Sequence, residues 1–261
     1  WKEQPWGRHV SFSDFCEYIL PYRIGDEPLS EWRETLYRRF NPMLDGLRGL
    51  YMADDPKNVA QVILDSLNRY PVRFTEIFPS GPHLGPQVID LRDGTCREFT
   101  DIMIYILRSL GVPAGSDMVL LRGDLNAGHS WNFVLDKYRH TYLFSLVHDS
   151  RKVEPAFNYM EPKGKVYRRT FSVNFDMLDS FGDKRDEVYP TFQVPMMQDV
   201  TNVYAGKRMI SPVIPSIHLL EKAKKGDLYY ICMANKMSWK PVGWGFYKKE
   251  GVEIRNVEGG V

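Results

Sequence analysis

Between Asp93 and Gly115 the chain specifies one helix from start to stop, DGTCREFTDIMIYILRSLGVPAG. Thr95 and Glu98 form a capping box, in which a hydroxyl and a carboxylate satisfy amides left open at a helix start. Phe99, Ile102, Met103, Ile106, Leu107 and Leu110 follow at helical spacing, an apolar stripe that another layer must cover. Gly111 and then Pro113 end the run. Any fold for this chain has to be built around that helix, and Cys96 falls on its first turn. There the open amides and the positive end of the helix dipole favour a thiolate, the nucleophilic form of cysteine. The same amides can receive an oxyanion. The plainer reading is a small apolar residue that only packs.

With 261 residues, 43% of them apolar, the chain can bury one large core or two modest ones. A net charge of +1 supplies no global field for nucleic acid or an anionic membrane. No apolar run reaches the roughly 18 residues a spanning helix needs, and WKEQPWGRHVSF is not ordered like a signal peptide. The chain starts abruptly and ends at VEGGV, so each end is read as a processing or expression boundary. Cys16, Cys96 and Cys232 are far apart with no CxxC, which argues against a disulfide framework or a cysteine zinc site.

Helical periods run from about residue 11 to 72. One is built on Phe12, Phe15, Cys16, Ile19 and Leu20, and a second on Trp32, Leu36, Tyr37 and Phe40. A third spans 56 to 69 with Val59, Val62, Ile63 and Leu67, capped by Asp55 ahead of Pro56. A loop rich in proline and glycine, 78 to 93, leads into Cys96. Strands are expected at 117–122, 129–136, 141–147 and 165–175, so the helix packs on a mostly antiparallel sheet in an α+β arrangement. Beyond 188 the expectation is short strands at 190–194, 207–213, 227–234, 241–247 and 252–257, with a helix only at 216–224. This gives two domains, 1–185 and a small β-sandwich at 186–261, the latter read as truncated.

His129 opens the strand HSWNFVLD. Trp131, Phe133 and Leu135 share its face, which is expected to meet the Cys96 helix, while Asn132 on the other face pairs with backbone. A turn at 136–140 returns the chain antiparallel. If Leu135 faces Tyr142 or Leu143, His129 lies across from His148 or Asp149, and Asp149 can orient the imidazole as the third member of a triad. Taken alone, such a histidine is more often a hydrogen-bonded edge residue and such a tryptophan simply core.

The strings DGTCREFTDIMIYILRSLGVPAG and AGHSWNFVLD together resemble the transglutaminase-like superfamily signature. More loosely, SDFCEYILPYRI, KVYRRTF, DVTNVY and KPVGWG resemble uncharacterised bacterial proteins, commonly exported, with that core and a β-sandwich behind it. The resemblance implies a papain-like fold and a Cys96, His129, Asp149 triad. The family places its acid nearer Ser145 or Leu146 here, and neither is a carboxylate. In papain-like sites a side-chain amide donates to the oxyanion, a role that falls to Gln87, with Trp131 walling the cleft.

The remaining candidates have plainer readings. Arg168 and Arg169 alternate faces, so one can reach the cleft, although a solvated face explains both. His83, His148, Asp93 and Asp101 fit no metal-ligand spacing. Tyr229, Tyr230, Trp239, Trp244, Phe246 and Tyr247 offer a carbohydrate-stacking platform or, more simply, sandwich core. The expected activity is hydrolytic acyl transfer on peptide, isopeptide or cell-wall peptide amides. It needs no metal or organic cofactor and no nucleic acid, and is carried by a monomer outside the cytoplasm. The alternative is an inactive relative that binds protein or glycan.

Overall fold

The structure, a computed structural model, describes residues 1–67, 69, 71–75, 82–122, 126–147, 152–161, 163–210, 213–215, 223–236, 238–249 and 251–259. The chain divides into two compact units. The first is Trp1–Asp117 with Ser130–Ala156, and the second is Met118–His129 with Phe157–Val261.

The first unit opens with α1 (Phe12–Tyr18), α2 (Arg33–Phe40), α3 (Asp45–Arg48) and α4 (Pro56–Leu67). Ser11 caps α1 by accepting the Asp14 amide at 3.0 Å. As expected, Asp55 accepts the Lys57 amide at 3.2 Å ahead of Pro56. Two short strands, β1 (Arg73–Phe74) and β2 (Asp93–Gly94), pair in parallel around α5 (Val88–Leu91). Then comes α6 (Cys96–Ser109), followed by β3 (Ala114–Val119), β4 (His129–Leu135), β5 (Thr141–Phe144) and β6 (Glu154–Pro155). In this unit the strands run in the order β6-β5-β4-β3. One core joins Trp6, Phe40, Val59, Ile63 and Leu64 of the helical layer to Phe99, Met103, Ile106 and Leu107 of α6, and to Val134 and Phe144 of the sheet. This is the α+β arrangement the sequence implied. Burying each of these large side chains stabilises the unit by about 1.5–3 kcal/mol before ordering costs.

The β4–β5 register is one residue earlier than the sequence suggested. Leu135 faces Thr141, not Tyr142 or Leu143. The cause is the turn. The Arg139 amide donates to Asp136 O at 2.9 Å, the Asp136 amide donates to His140 O at 3.0 Å, and Arg139 takes a left-handed φ of 67°. A type I turn closed by a left-handed residue makes a bulged hairpin, and the Asp136 carboxylate holds it by accepting the Tyr138 and His140 amides.

The second unit adds β7 (Tyr167–Arg169), α7 (Phe175–Phe181), β8 (Met197–Asp199), α8 (Thr201–Ala205), β9 (Met209–Ile210), β10 (Val213–Pro215), β11 (Leu228–Asn235), β12 (Ser238–Lys248), β13 (Gly251–Ile254) and β14 (Val257–Glu258). An antiparallel sheet runs β10-β13-β12-β11, and β9 pairs with β14. The single strand expected at 165–175 is corrected. Only 167–169 is extended, because Asn174 accepts the Met177 amide at 3.1 Å and starts α7. The strand expected at 190–194 is a 3-10 turn, Pro190–Gln193, and the helix expected at 216–224 lies almost wholly outside the described residues. Residues 157–185, placed before the boundary near 185 on sequence, cluster with this unit. Phe181 and Phe192 stack on Trp244 at centroid distances of 5.2 and 4.7 Å. The aromatics of β11 and β12 are sheet core: Tyr230, Trp244 and Phe246 pack on one cluster, and Tyr229 and Tyr247 on another. Trp239 alone among them is largely exposed. Among the described residues no helix is long and apolar enough to cross a membrane.

Candidate active site

Cys96 is the first residue of α6, a half-buried free thiol. Its turn is fixed from both sides. Thr95 Oγ1 accepts the Arg97 amide at 3.3 Å, and Glu98 reaches back to accept the Thr95 amide at 2.9 Å and the Thr95 hydroxyl at 2.6 Å, which completes the capping box. Burial would raise the Glu98 carboxyl, but the Thr95 and Arg97 hydrogen bonds outweigh it and hold the group below its ordinary value. Gly94 makes this possible, since a Cβ there would sit 2.5 Å from Glu98 Cβ. One turn on, the Thr100 hydroxyl donates to Cys96 O at 2.6 Å. At the far end the Gly111 amide donates to Arg108 O and the Val112 amide to Leu107 O, with Gly111 at φ 76°, so the glycine-proline stop is a Schellman close.

From Glu98 to Ser109 every residue of α6 is buried, which the apolar stripe alone does not explain. Asp101, Tyr105 and Arg108 form a second, polar stripe, of which only Asp101 stood out in the sequence, as a metal-ligand candidate. Asp101 Oδ2 pairs with His83 Nδ1 at 2.6 Å, both side chains buried. The Tyr105 hydroxyl donates to Glu27, whose carboxylate also accepts the Ile24 and Gly25 amides. Burial would raise Glu27, yet these donors leave it lowered. Burial and that same carboxylate raise Tyr105 far above the usual phenol range. Arg108 donates to the Tyr18 and Arg23 carbonyls, and burial lowers it to about 10. Polar residues at spacings of four and three inside an otherwise apolar run were the signal for this network.

The expected residues lie as follows. His129 is the half-buried first residue of β4 and belongs to the second unit, whereas Cys96, Gln87 and Trp131 belong to the first. Gln87, itself exposed, ends a 3-10 turn, Gly85–Gln87, its side-chain oxygen lying over the buried Gly85. Trp131 is 1% exposed. Asp149 and His148 lie outside the described residues. Ser145 and Leu146, where the family would place its acid, are both buried. Arg168 is buried and Arg169 exposed.

The face of β4 that meets α6 is the reverse of the one expected. Asn132 Nδ2 donates to Thr100 O at 2.9 Å and Val134 joins the α6 core, whereas Phe133 packs edge-on against Tyr18 at 5.3 Å. Asn132 does pair with backbone. From Trp131 onward both faces are buried, so apolar content could not say which one takes the helix. Among the described residues no three His, Cys, Asp or Glu side chains gather as metal ligands would. A cavity of about 570 Å³, lined by Trp1, Phe15, Tyr22, Arg33 and Arg108, opens at the other end of α6, roughly 18 Å from Cys96 by helical rise.

No family model and no curated protein matches the chain. Among the solved structures that overlap with part of it are the following two. The periplasmic domain of TgpA from Pseudomonas aeruginosa, bound to ethylmercury, shares 17% identity over 46% of each chain, with a TM-score of 0.35. A candidate cysteine protease from Cytophaga hutchinsonii shares 15% identity over 51% of this chain and 40% of its own, also with a TM-score of 0.35. The chain thus spans less than half the length of either, and neither overlap is deep enough to carry an assignment of fold or activity.

Proposed function

We propose that the protein is a cysteine-dependent acyl-transfer enzyme of transglutaminase-like type that hydrolyses peptide or isopeptide amides. The observation that carries this reading is the half-buried Cys96 thiol on the capped first turn of a helix that is buried from Glu98 to Ser109. Open amides and the helix dipole act there on a fixed sulfur. In the proposed reaction His129 takes the thiol proton as Cys96 Sγ attacks the amide carbonyl, with Asp149 orienting the ring. His129 returns the proton to the leaving amine, and an acyl thioester remains. It then takes a proton from water, which attacks the thioester, releases the carboxylic acid and restores the thiol. The Cys96 amide and Gln87 receive the oxyanion. Cell-wall peptides fit this chemistry, as does an exported location.

A second reading, a transglutaminase-like chain that binds protein or glycan without turnover, is favoured by one observation: β4 turns its Asn132 face, not its Trp131 face, to α6. Iodoacetamide labelling near pH 7 separates the two. The enzyme reading expects Cys96 to react at least tenfold faster than Cys16 and Cys232, and His129→Ala to remove that preference. Equal slow labelling of all three, with no amide of a peptide panel cleaved by wild type over Cys96→Ala, rejects it.

A further inference from the structure

The second unit contains a cavity of about 350 Å³ between α7, the ends of β12 and β13, and β8. Its size is that of a small-molecule site. Trp244 and Phe246, which pack against Phe181, stay half-buried and line the cavity with the aromatic surface that remains, and Gly245 between them adds no side chain. Gly245 is required there, because a Cβ would lie 2.1 Å from Glu253 O.

The rest of the lining is polar. Lys165 is almost fully buried, and its ammonium donates to the Asp199 carboxylate, to Arg255 O at 2.8 Å and to Asn256 O at 3.0 Å. Asp199 also accepts the Thr201 amide and hydroxyl and, at 3.4 Å, the Asn256 amide. This floor is internally satisfied and therefore rigid. The rim keeps spare capacity. Arg255 is 75% exposed at its side chain with one loose ion pair to Glu253 at 3.6 Å, Lys248 shares that carboxylate, and the Ser180 hydroxyl donates to Met177 O with its lone pairs open. Three cations, Lys165, Lys248 and Arg255, face two carboxylates, Asp199 and Glu253.

A pyranose ring has an apolar C–H face and an edge of hydroxyls, each both donor and acceptor. An aromatic wall beside spare donors and acceptors matches that shape, and the surplus cation matches a carboxylate on the ring. We propose that this cavity binds a single carboxylated pyranose, its ring against Trp244 and Phe246 and its carboxylate on Arg255. The site shares no residue with the proposed Cys96 chemistry, so either can fail without the other.

The test is tryptophan fluorescence of the full chain titrated with glucuronate and N-acetylmuramate, with glucose as the neutral ring and gluconate as the acyclic acid. For ligands this small a Kd on the order of 1 mM is expected. A saturable change with at least one carboxylated ring, tenfold weaker for glucose and for gluconate, supports the site. Arg255→Ala should weaken it about tenfold, and Ser180→Phe, a change at an exposed position that fills the mouth, should abolish it. Cys96→Ala should leave it unchanged. No saturable response to either carboxylated ring, equal response to glucose or gluconate, or full binding by Ser180→Phe overturns the proposal.

Discussion

Gly94 has no side chain and yet decides whether the Cys96 turn can close. A methyl group in its place collides with Glu98, which must swing out and release the Thr95 amide and hydroxyl. Gly94→Ala should therefore cost about 1–2 kcal/mol, the worth of a good helix cap, read as a lower urea midpoint at unchanged slope. Glu98 sets the acid side of the same turn. Its carboxyl lies below the ordinary value when folded, so its contribution is whole above the unfolded carboxyl range, near pH 4.3, and fades as pH falls through the lower folded value. Wild type should lose more stability between about pH 5 and 3 than Glu98→Gln, measured by thermal melts across that window. Equal slopes would mean that the cap carries no titrating charge.

At the scale of elements, α6 is held by two stripes of different chemistry. Its apolar side joins the core, and its polar side ties down the segment from Tyr18 to Glu27 together with His83. Tyr105→Phe keeps the ring and removes one of three donors to a buried carboxylate, so a loss of about 1–3 kcal/mol is expected from denaturant titration, with little change in fold by circular dichroism. The helix was legible because cap, stripe and stop agree locally, and its observed bounds follow from those signals. The hairpin register was not. The left-handed residue that sets it is Arg139, a type that gives no sign of that conformation, and a one-residue shift changes every pair along the ladder. The run KVYRRTFSVNF alternates like a strand throughout, but its asparagine caps a helix, and a local hydrogen bond overrides the pattern. Of the candidate site, the Cys96 turn was readable from neighbours in sequence. Which face of β4 meets α6 was not, because it rests on one long-range amide contact, Asn132 to Thr100.

On the scale of the whole molecule, the division into units follows packing and not composition. The boundary expected near 185 falls inside a 3-10 helix, Gly182–Glu187, next to Phe181, whose ring packs against Trp244. The first unit is interrupted in sequence: Met118–His129 belongs to the second, and the first resumes at Ser130. A chain ending at residue 117 keeps α6 but lacks Val134, Phe144 and Leu146, which complete its core. It should aggregate and bind the dye ANS, whereas a chain ending at 156 should melt cooperatively. Cooperative melting of the shorter chain would show that the sheet strands are dispensable. The same interleaving governs events on the ribosome. The Cys96 helix ends at Ser109, and the strands that cover it, β4 and β5, begin only at His129 and Thr141, so a nascent chain must shelter that apolar surface for a few seconds of translation, and a chaperone that grips exposed helices would find its target there.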